Sequence, residues 1–208
     1  MPLEEFLQRY KLNPETTLQL ALLRRLLPVL KASSACLGAV LLGSFAKGLA
    51  DRVSDLDLVL FCREGTGPEL LARVAALIPA EEIFSTFDGA HKGVGSPFTE
   101  IILYNFTSIE IHTIAPGTKF KIKTPFVELH NIENCLEARL SQSSAPTRET
   151  LVPYRHGPKW LPWELFNCMK WLSRGEVETA KKYLVRLGKA IEAADKPGAP
   201  EHVHNEAQ

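Results

Sequence analysis

Residues 42–61 read LGSFAKGLADRVSDLDLVLF, and the layout of this stretch decides the fold. An apolar run over 37–42 ends at Gly43-Ser44, and a second apolar run, 58–61, follows Asp55-Leu56-Asp57. On a strand, residues i and i+2 share a face, so Asp55 and Asp57 project side by side while Leu56 and Leu58 point into a core. Two carboxylates at that spacing repel unless a cation lies between them. Hard divalent ions such as Mg²⁺ take oxygen ligands and use one or two carboxylates together with substrate phosphates. A glycine directly after a strand lets the backbone approach a ligand. Residues 44–50 then open a short helix whose N-terminal N–H groups attract phosphate. Alone, Asp-x-Asp reads as a pair of exposed strand charges. The glycine-serine, the gap and the apolar flanks together make the stretch specific.

Gly43-Ser44, a ten-residue gap and Asp55-Leu56-Asp57 resemble the signature of the polymerase-beta-like nucleotidyltransferase superfamily. Ala46, Gly48, Ala50 and Ser54 resemble its small bacterial members, which include antibiotic (aminoglycoside and lincosamide) nucleotidyltransferases and minimal nucleotidyltransferases. The resemblance covers residues 37–115. It implies a third carboxylate on a later strand, and Glu110, in Ile109-Glu110-Ile111-His112, resembles the family's third-acid strand. A carboxylate between two isoleucines is costly to bury without a partner. Many family members have Asp there. Glu100, also followed by isoleucine, is the competing candidate. His112 lies two residues beyond Glu110 on the same face, as a partner of a metal ligand, a substrate contact or an ordinary strand imidazole.

The chain has 208 residues, 45% of them hydrophobic and 23% charged, with a formal net charge of zero. That balance suits one domain or two small ones, and it speaks against a nucleic-acid partner. Residues 1–114 lean acidic and 115–195 lean basic. Cys36, Cys62, Cys135 and Cys168 form no CxxC pair, so neither a disulfide framework nor a zinc pattern is predicted. Cys36 and Cys62 lie in apolar runs and read as core. No apolar run approaches the ~18 residues that cross a membrane. The first ten residues carry acids where a signal peptide carries bases, and a cytoplasmic location is expected.

The periodicity predicts an α+β fold: a mixed, mostly antiparallel sheet with helices on one face, followed by a helical module. Helices are expected over 3–10 and 14–31, the second with Leu18, Leu22, Leu26 and Leu30 on one stripe and Pro28 kinking or ending it. Strands are expected over 37–42, 55–62, 82–87, 98–106 and 108–114, with a helix over 68–78, a loop over 88–97 and a hairpin turn over 105–108. Pro116-Gly117 is expected to end the sheet. Residues 128–141 are expected to be helical, with Leu129, Ile132, Leu136 and Leu140 on one stripe, 141–150 a loop, and 163–173 and 176–194 two further helices. The predicted organisation is a catalytic domain over 1–117, a helical substrate-binding or dimerisation module over 118–195 and a disordered tail over 196–208.

The resemblance implies an enzyme in which Asp55, Asp57 and Glu110 hold two Mg²⁺ ions, with Mn²⁺ as a substitute. A hydroxyl then attacks the α-phosphorus of a nucleoside triphosphate, ATP foremost, and pyrophosphate leaves. Gly43 and Ser44 would bind the terminal phosphates, with Lys47 near enough to assist. Glu128, Glu133 and Glu164 are unranked candidates for the general base. Lys119, Lys121 and Lys123 alternate after the third-acid strand, either toward phosphate or as a solvated edge. Trp160, Trp163 and Trp171 read as core, an acceptor pocket or a homodimer surface. The expected acceptor is a small hydroxylated molecule such as an antibiotic. The alternatives are adenylylation of a partner protein, as in a toxin–antitoxin pair, and a non-catalytic nucleotide-binding module.

Overall fold

The computed structural model describes residues 1–90, 97–141 and 152–194. The fold is α+β, and the chain divides into two compact units, Met1–Ala145 and Pro146–Gln208. The first unit is built on a six-stranded sheet of β1 (Cys36–Leu41), β2 (Leu56–Cys62), β3 (Ile83–Ala90), β4 (Pro97–Leu103), β5 (Ser108–Ile114) and β7 (Val127–Asn131). Their order is β3-β4-β5-β2-β1-β7. Only the β2–β5 pair of this sheet is parallel. Leu56, Leu58, Leu60 and Cys62 of β2 face one core, and Val59 and Phe61 face another. Both faces of β2 are therefore covered, which is why its sequence is a nearly continuous apolar run.

Three helices cover the first face: α1 (Leu3–Tyr10), α2 (Thr17–Ala32) and α4 (Gly67–Ala75). Asn13 caps the turn before α2, its Oδ1 accepting from the Glu15 N–H at 3.0 Å. The buried stripe of α2 is rotated from the expected one: Leu18 is half exposed, and Gln19, Leu20, Leu22, Leu23, Leu26, Leu27 and Leu30 are buried. Pro28 does not end the helix, which runs four residues further. Pro28 and Arg24 are both exposed, so the Arg24 carbonyl that loses its donor faces water. Helix α4 stops at Ala75, before Pro79.

The expected helix over 128–141 is not formed. Val127 and Leu129 are buried with exposed Glu128 between them, a period of two, and the segment is edge strand β7, paired antiparallel with β1. Glu133 and Asn134 then take positive φ (58° and 54°), which a helix does not admit. Pro116-Gly117 accordingly does not end the sheet. The short strands β6 (Ile122–Lys123) and β8 (Leu140–Ser141) pair in parallel. Ile122 and Leu136, with Phe120, Phe126 and Cys135, pack on Val40, Val59, Phe61 and Ile114 of the second face. Strands β6, β7 and β8 thus lie within the first compact unit, Met1–Ala145.

The β4–β5 turn comes one residue early, at Tyr104–Thr107, where Phe106 has φ 64° and Asn105 Oδ1 accepts from the Thr107 N–H at 2.9 Å. Strand β3 runs to Ala90, into the expected loop, and the expectations for 91–96, 142–151 and the 196–208 tail lie outside the described residues. In the second unit, α5 (Leu161–Ser173) and α6 (Val177–Ala194) form a hairpin closed by Cys168, Trp171, Ala180, Tyr183 and Leu187. Trp171 meets Tyr183 edge-on at 5.1 Å, and Trp160 meets Trp163 at 5.9 Å. Val177 and Leu184 of α6 are exposed. Among the described residues, no helix is long and apolar enough to cross a membrane.

Candidate functional site

The register brings the acids together. Parallel pairing of β2 with β5 sets Asp57 beside Glu110 and Val59 beside His112. Antiparallel pairing of β5 with β4 sets Glu110 beside Glu100 and His112 beside Phe98. Directly paired residues share a face, so Asp57, Glu110 and Glu100 form a row across three strands. That face is the one opposite the three helices, because Leu56, Leu58, Ile109 and Ile111 all enter the helical core. Glu110 is adjacent to Asp57 and Glu100 is one strand further out, where it is buried.

Asp55 and Glu110 each have a local support. Asp55 precedes β2, and its Oδ1 accepts from Ser108 Oγ at 2.6 Å. Ser108 escaped the sequence reading, although alternation along β5 puts 108, 110 and 112 on one face. Glu110 Oε1 lies 2.7 Å from His112 Nε2. An ionised carboxylate only accepts, so the Nε2 proton points at Glu110. The His112 ring in turn stacks on Phe98, centroids 5.1 Å apart at 25°. The pair is half-buried, with His112 and Glu110 side chains 17% and 33% exposed.

Gly43 is held against Asp57. The Leu42 N–H donates to the Asp57 carbonyl at 2.9 Å, which zips the end of β1 to the start of β2. Gly43 follows with φ +63°, and a Cβ built there would stand 1.7 Å from Asp57 Oδ2. Only glycine fits that conformation and that approach. The five-residue helix α3 (Gly43–Lys47) begins here and ends at Gly48, φ 72°. Its anchor is Phe45, fully buried against Phe6 and Tyr10 of α1, with Tyr10 Oη donating to the Phe45 carbonyl at 3.3 Å. Ser44 is half-buried beside Gly43, and Lys47 is exposed on α3.

The three candidate general bases have different surroundings. Glu133 lies at the opposite end of the sheet, beyond the start of β1, and pairs with Arg63 at 3.3 Å. Glu164 is buried within the helical unit, where its oxygens accept from the Tyr154 N–H (2.7 and 3.0 Å) and Tyr183 Oη (3.1 Å). Burial raises its pKa, opposed by those two donors. Glu128 is exposed on β7 and, through the register Glu128–Val40–Val59–His112, lies on the acid-bearing face. Of the alternating lysines, Lys119 is exposed, Lys121 Nζ donates to the Ala138 carbonyl at 3.1 Å and Lys123 is half-buried in β6.

Among the described residues, no group of three His, Cys, Asp or Glu side chains forms a ready metal cage. Asp57 and Glu110, paired in register across β2 and β5, offer only oxygen atoms on their side chains. The cysteines are free. Burial pushes Cys36 up to about 12 and Cys168 to about 11, which keeps both as inert thiols. No family model matches the chain and no curated protein matches its sequence, so the residues described above carry the functional reading by themselves.

Proposed function

We propose that the chain is a nucleotidyltransferase that moves a nucleoside monophosphate from a nucleoside triphosphate, ATP foremost, to a hydroxyl of a small molecule. The observation that carries this reading is the row Asp57–Glu110 with the Gly43 backbone pressed against Asp57. It joins two acceptor-rich side chains to a glycine-serine turn at one end of one sheet. Asp57 and Glu110, with Asp55 beside them, are the residues that would hold Mg²⁺. When bound, the ion neutralises triphosphate charge and acidifies the attacking hydroxyl.

The chain's own residues prepare that site. Ser108 fixes Asp55, and His112 supports Glu110 through one of its oxygens. Ser44 supplies a hydroxyl donor to a phosphate oxygen beside Asp57. Of the three bases weighed, Glu128 is the one on the acid-bearing face without a structural partner among the described residues, and it is assigned to take the acceptor proton. Transfer breaks the bond between the α-phosphorus and the bridging oxygen, and pyrophosphate leaves as the acceptor oxygen binds phosphorus.

Isothermal titration of each nucleoside triphosphate with and without Mg²⁺ tests the proposal. Binding is expected with Mg²⁺ and is expected to weaken at least about 100-fold in Asp57→Asn, because loss of a direct ligand exceeds the effect of losing an outer support. A wild-type protein that binds no triphosphate, or an Asp57→Asn protein that binds equally well, overturns it.

A further inference from the structure

Gln19 is a polar residue in the first turn of α2, at the start of its buried stripe, and it is 1% exposed. A primary amide in such a place is unfavourable unless hydrogen-bonded. Its Nε2 finds three acceptors on one short turn: the carbonyls of Asp51 (3.3 Å), Arg52 (3.0 Å) and Ser54 (3.1 Å). Three carbonyls can only face the NH₂ end of the amide, which fixes its orientation. The turn is also closed on itself. Ser54 Oγ accepts from the Asp51 N–H at 2.9 Å and donates to Asp51 Oδ1 at 2.8 Å, and the Val53 N–H donates to the same Oδ1 at 3.2 Å. The residue after this turn is Asp55.

The other end of the amide does not explain Gln19 by stability. Its Oε1 is buried without a hydrogen-bond partner among the described residues. An orphaned acceptor is destabilising. A side chain that helps folding only with this defect is explained by the geometry that its donor imposes.

We infer that Gln19 is a positioning residue: its amide nitrogen clamps the 51–54 turn to α2 and thereby sets where the Asp55 and Asp57 carboxylates stand. Helix α2 is a rigid platform, because Leu23, Leu26, Leu27 and Leu30 root it in the core whether or not Leu22 is truncated. Without the clamp the turn keeps its internal bonds but loses its tie to that platform, and the start of β2 gains freedom. The consequence for catalysis rests on the proposed nucleotidyltransferase function, whereas the clamp itself does not.

The test compares Gln19→Glu, Gln19→Met and, as a control, Leu22→Ala. Glutamate keeps the shape but, ionised, offers no donor and faces three carbonyl oxygens. Methionine fills the volume with no donor. Leu22→Ala weakens the same helix without touching the turn. The ligand-free readouts are the ¹³C carboxyl resonances of Asp55 and Asp57 and the amide exchange of Asp51, Val53 and Ser54. Both Gln19 variants are expected to move the two resonances and to speed exchange at the turn by about tenfold or more, while Leu22→Ala leaves both unchanged even where it lowers Tm further. Unmoved resonances in the Gln19 variants, or equal movement in Leu22→Ala, overturn the inference. Titration with Mg²⁺ and ATP then separates the two readings. Binding weakened in both Gln19 variants and retained in Leu22→Ala supports the clamp as part of the site. If wild-type protein binds no triphosphate, the nucleotidyltransferase reading fails, and the resonances and exchange alone decide the clamp.

Discussion

Two carboxylates of this chain are surrounded by opposite logic. Glu164, in the helical unit, is buried and has its oxygens filled from within, by the Tyr154 N–H and the Tyr183 hydroxyl. Glu110, in the sheet unit, is a third exposed, has one oxygen engaged by His112 and stands in a row with Asp57 and Glu100. The first closes a local hydrogen-bond set and ties the segment before α5 to both helices of its unit. The second stands in a row of three acids on one sheet face, with His112 as one partner. The first is expected to answer in stability and the second in turnover.

The largest effect expected from this comparison belongs to Gly43→Ala. The new methyl group would overlap Asp57 Oδ2, so the carboxylate must swing away by more than an ångström or the turn must rebuild. Turnover, once an acceptor is in hand, is expected to fall at least about 100-fold, since displacements of that size at a reacting centre cost as much. The positive φ adds a stability loss of about 1 kcal/mol. Calorimetry alongside a pyrophosphate-release assay separates the two. Full activity with an unchanged Tm would show that Gly43 does not pack on a functional Asp57.

Glu164 is expected to answer in stability alone. Glu164→Ala strands a buried N–H and a buried hydroxyl and is expected to cost about 2 kcal/mol or more in the helical unit. Glu164→Gln keeps a carbonyl acceptor and presents an NH₂ to the Tyr183 oxygen, so most of that loss is expected to be spared. Trp160, Trp163 and Trp171 all lie in this unit, so tryptophan fluorescence in urea reads its unfolding directly. Loss of triphosphate turnover in Glu164→Gln at unchanged stability would make Glu164 chemical and remove the contrast.

The acid row was legible where one strand's alternation sufficed. Asp57 and Glu110 each occupy the outward position between core residues, and both strands fall where their apolar runs begin and end. Their mutual register was not legible, because it depends on β5 joining β2 in parallel after β3 and β4 have been laid down beyond it. Strand β7 was misread because Leu129, Ile132, Leu136 and Leu140 happen to satisfy a helical period. The positive-φ pair Glu133-Asn134, which breaks that period, carries no glycine to announce it. Gln19 was passed over for a related reason: a polar residue beside a leucine stripe reads as its solvent edge, and only the turn over 51–54 rotates that edge into the core.

The smallest effect is a difference of sign with pH. The ordinary pKa of a glutamate, 4.5, is raised at Glu164, chiefly by burial and against the two donors. The folded helical unit therefore holds the proton more tightly than the unfolded chain. Its Glu164 contribution is fully present below the unfolded value and is lost as pH rises through the folded one. His130, on β7, is shifted the other way. Burial and then Lys31 lower it from 6.5, against the Cys36 backbone, and its Nε2 is buried without a hydrogen-bond partner among the described residues. The folded sheet unit prefers the neutral ring, so that contribution is present above the unfolded value and is lost as pH falls through the folded one. Each slope is no steeper than about 1.4 kcal/mol per pH unit. Between mild acid and neutrality, urea midpoints read by tryptophan fluorescence are expected to fall with rising pH for the Glu164 term, and Glu164→Gln removes that slope. Protection factors of the β1 and β2 amides, corrected for the intrinsic rise of exchange with pH, are expected to increase toward neutrality for the His130 term, and His130→Gln flattens the increase. Slopes of the same sign in both units, or a slope that survives its own substitution, would mean that something other than the burial of these two groups controls each unit's response to acid.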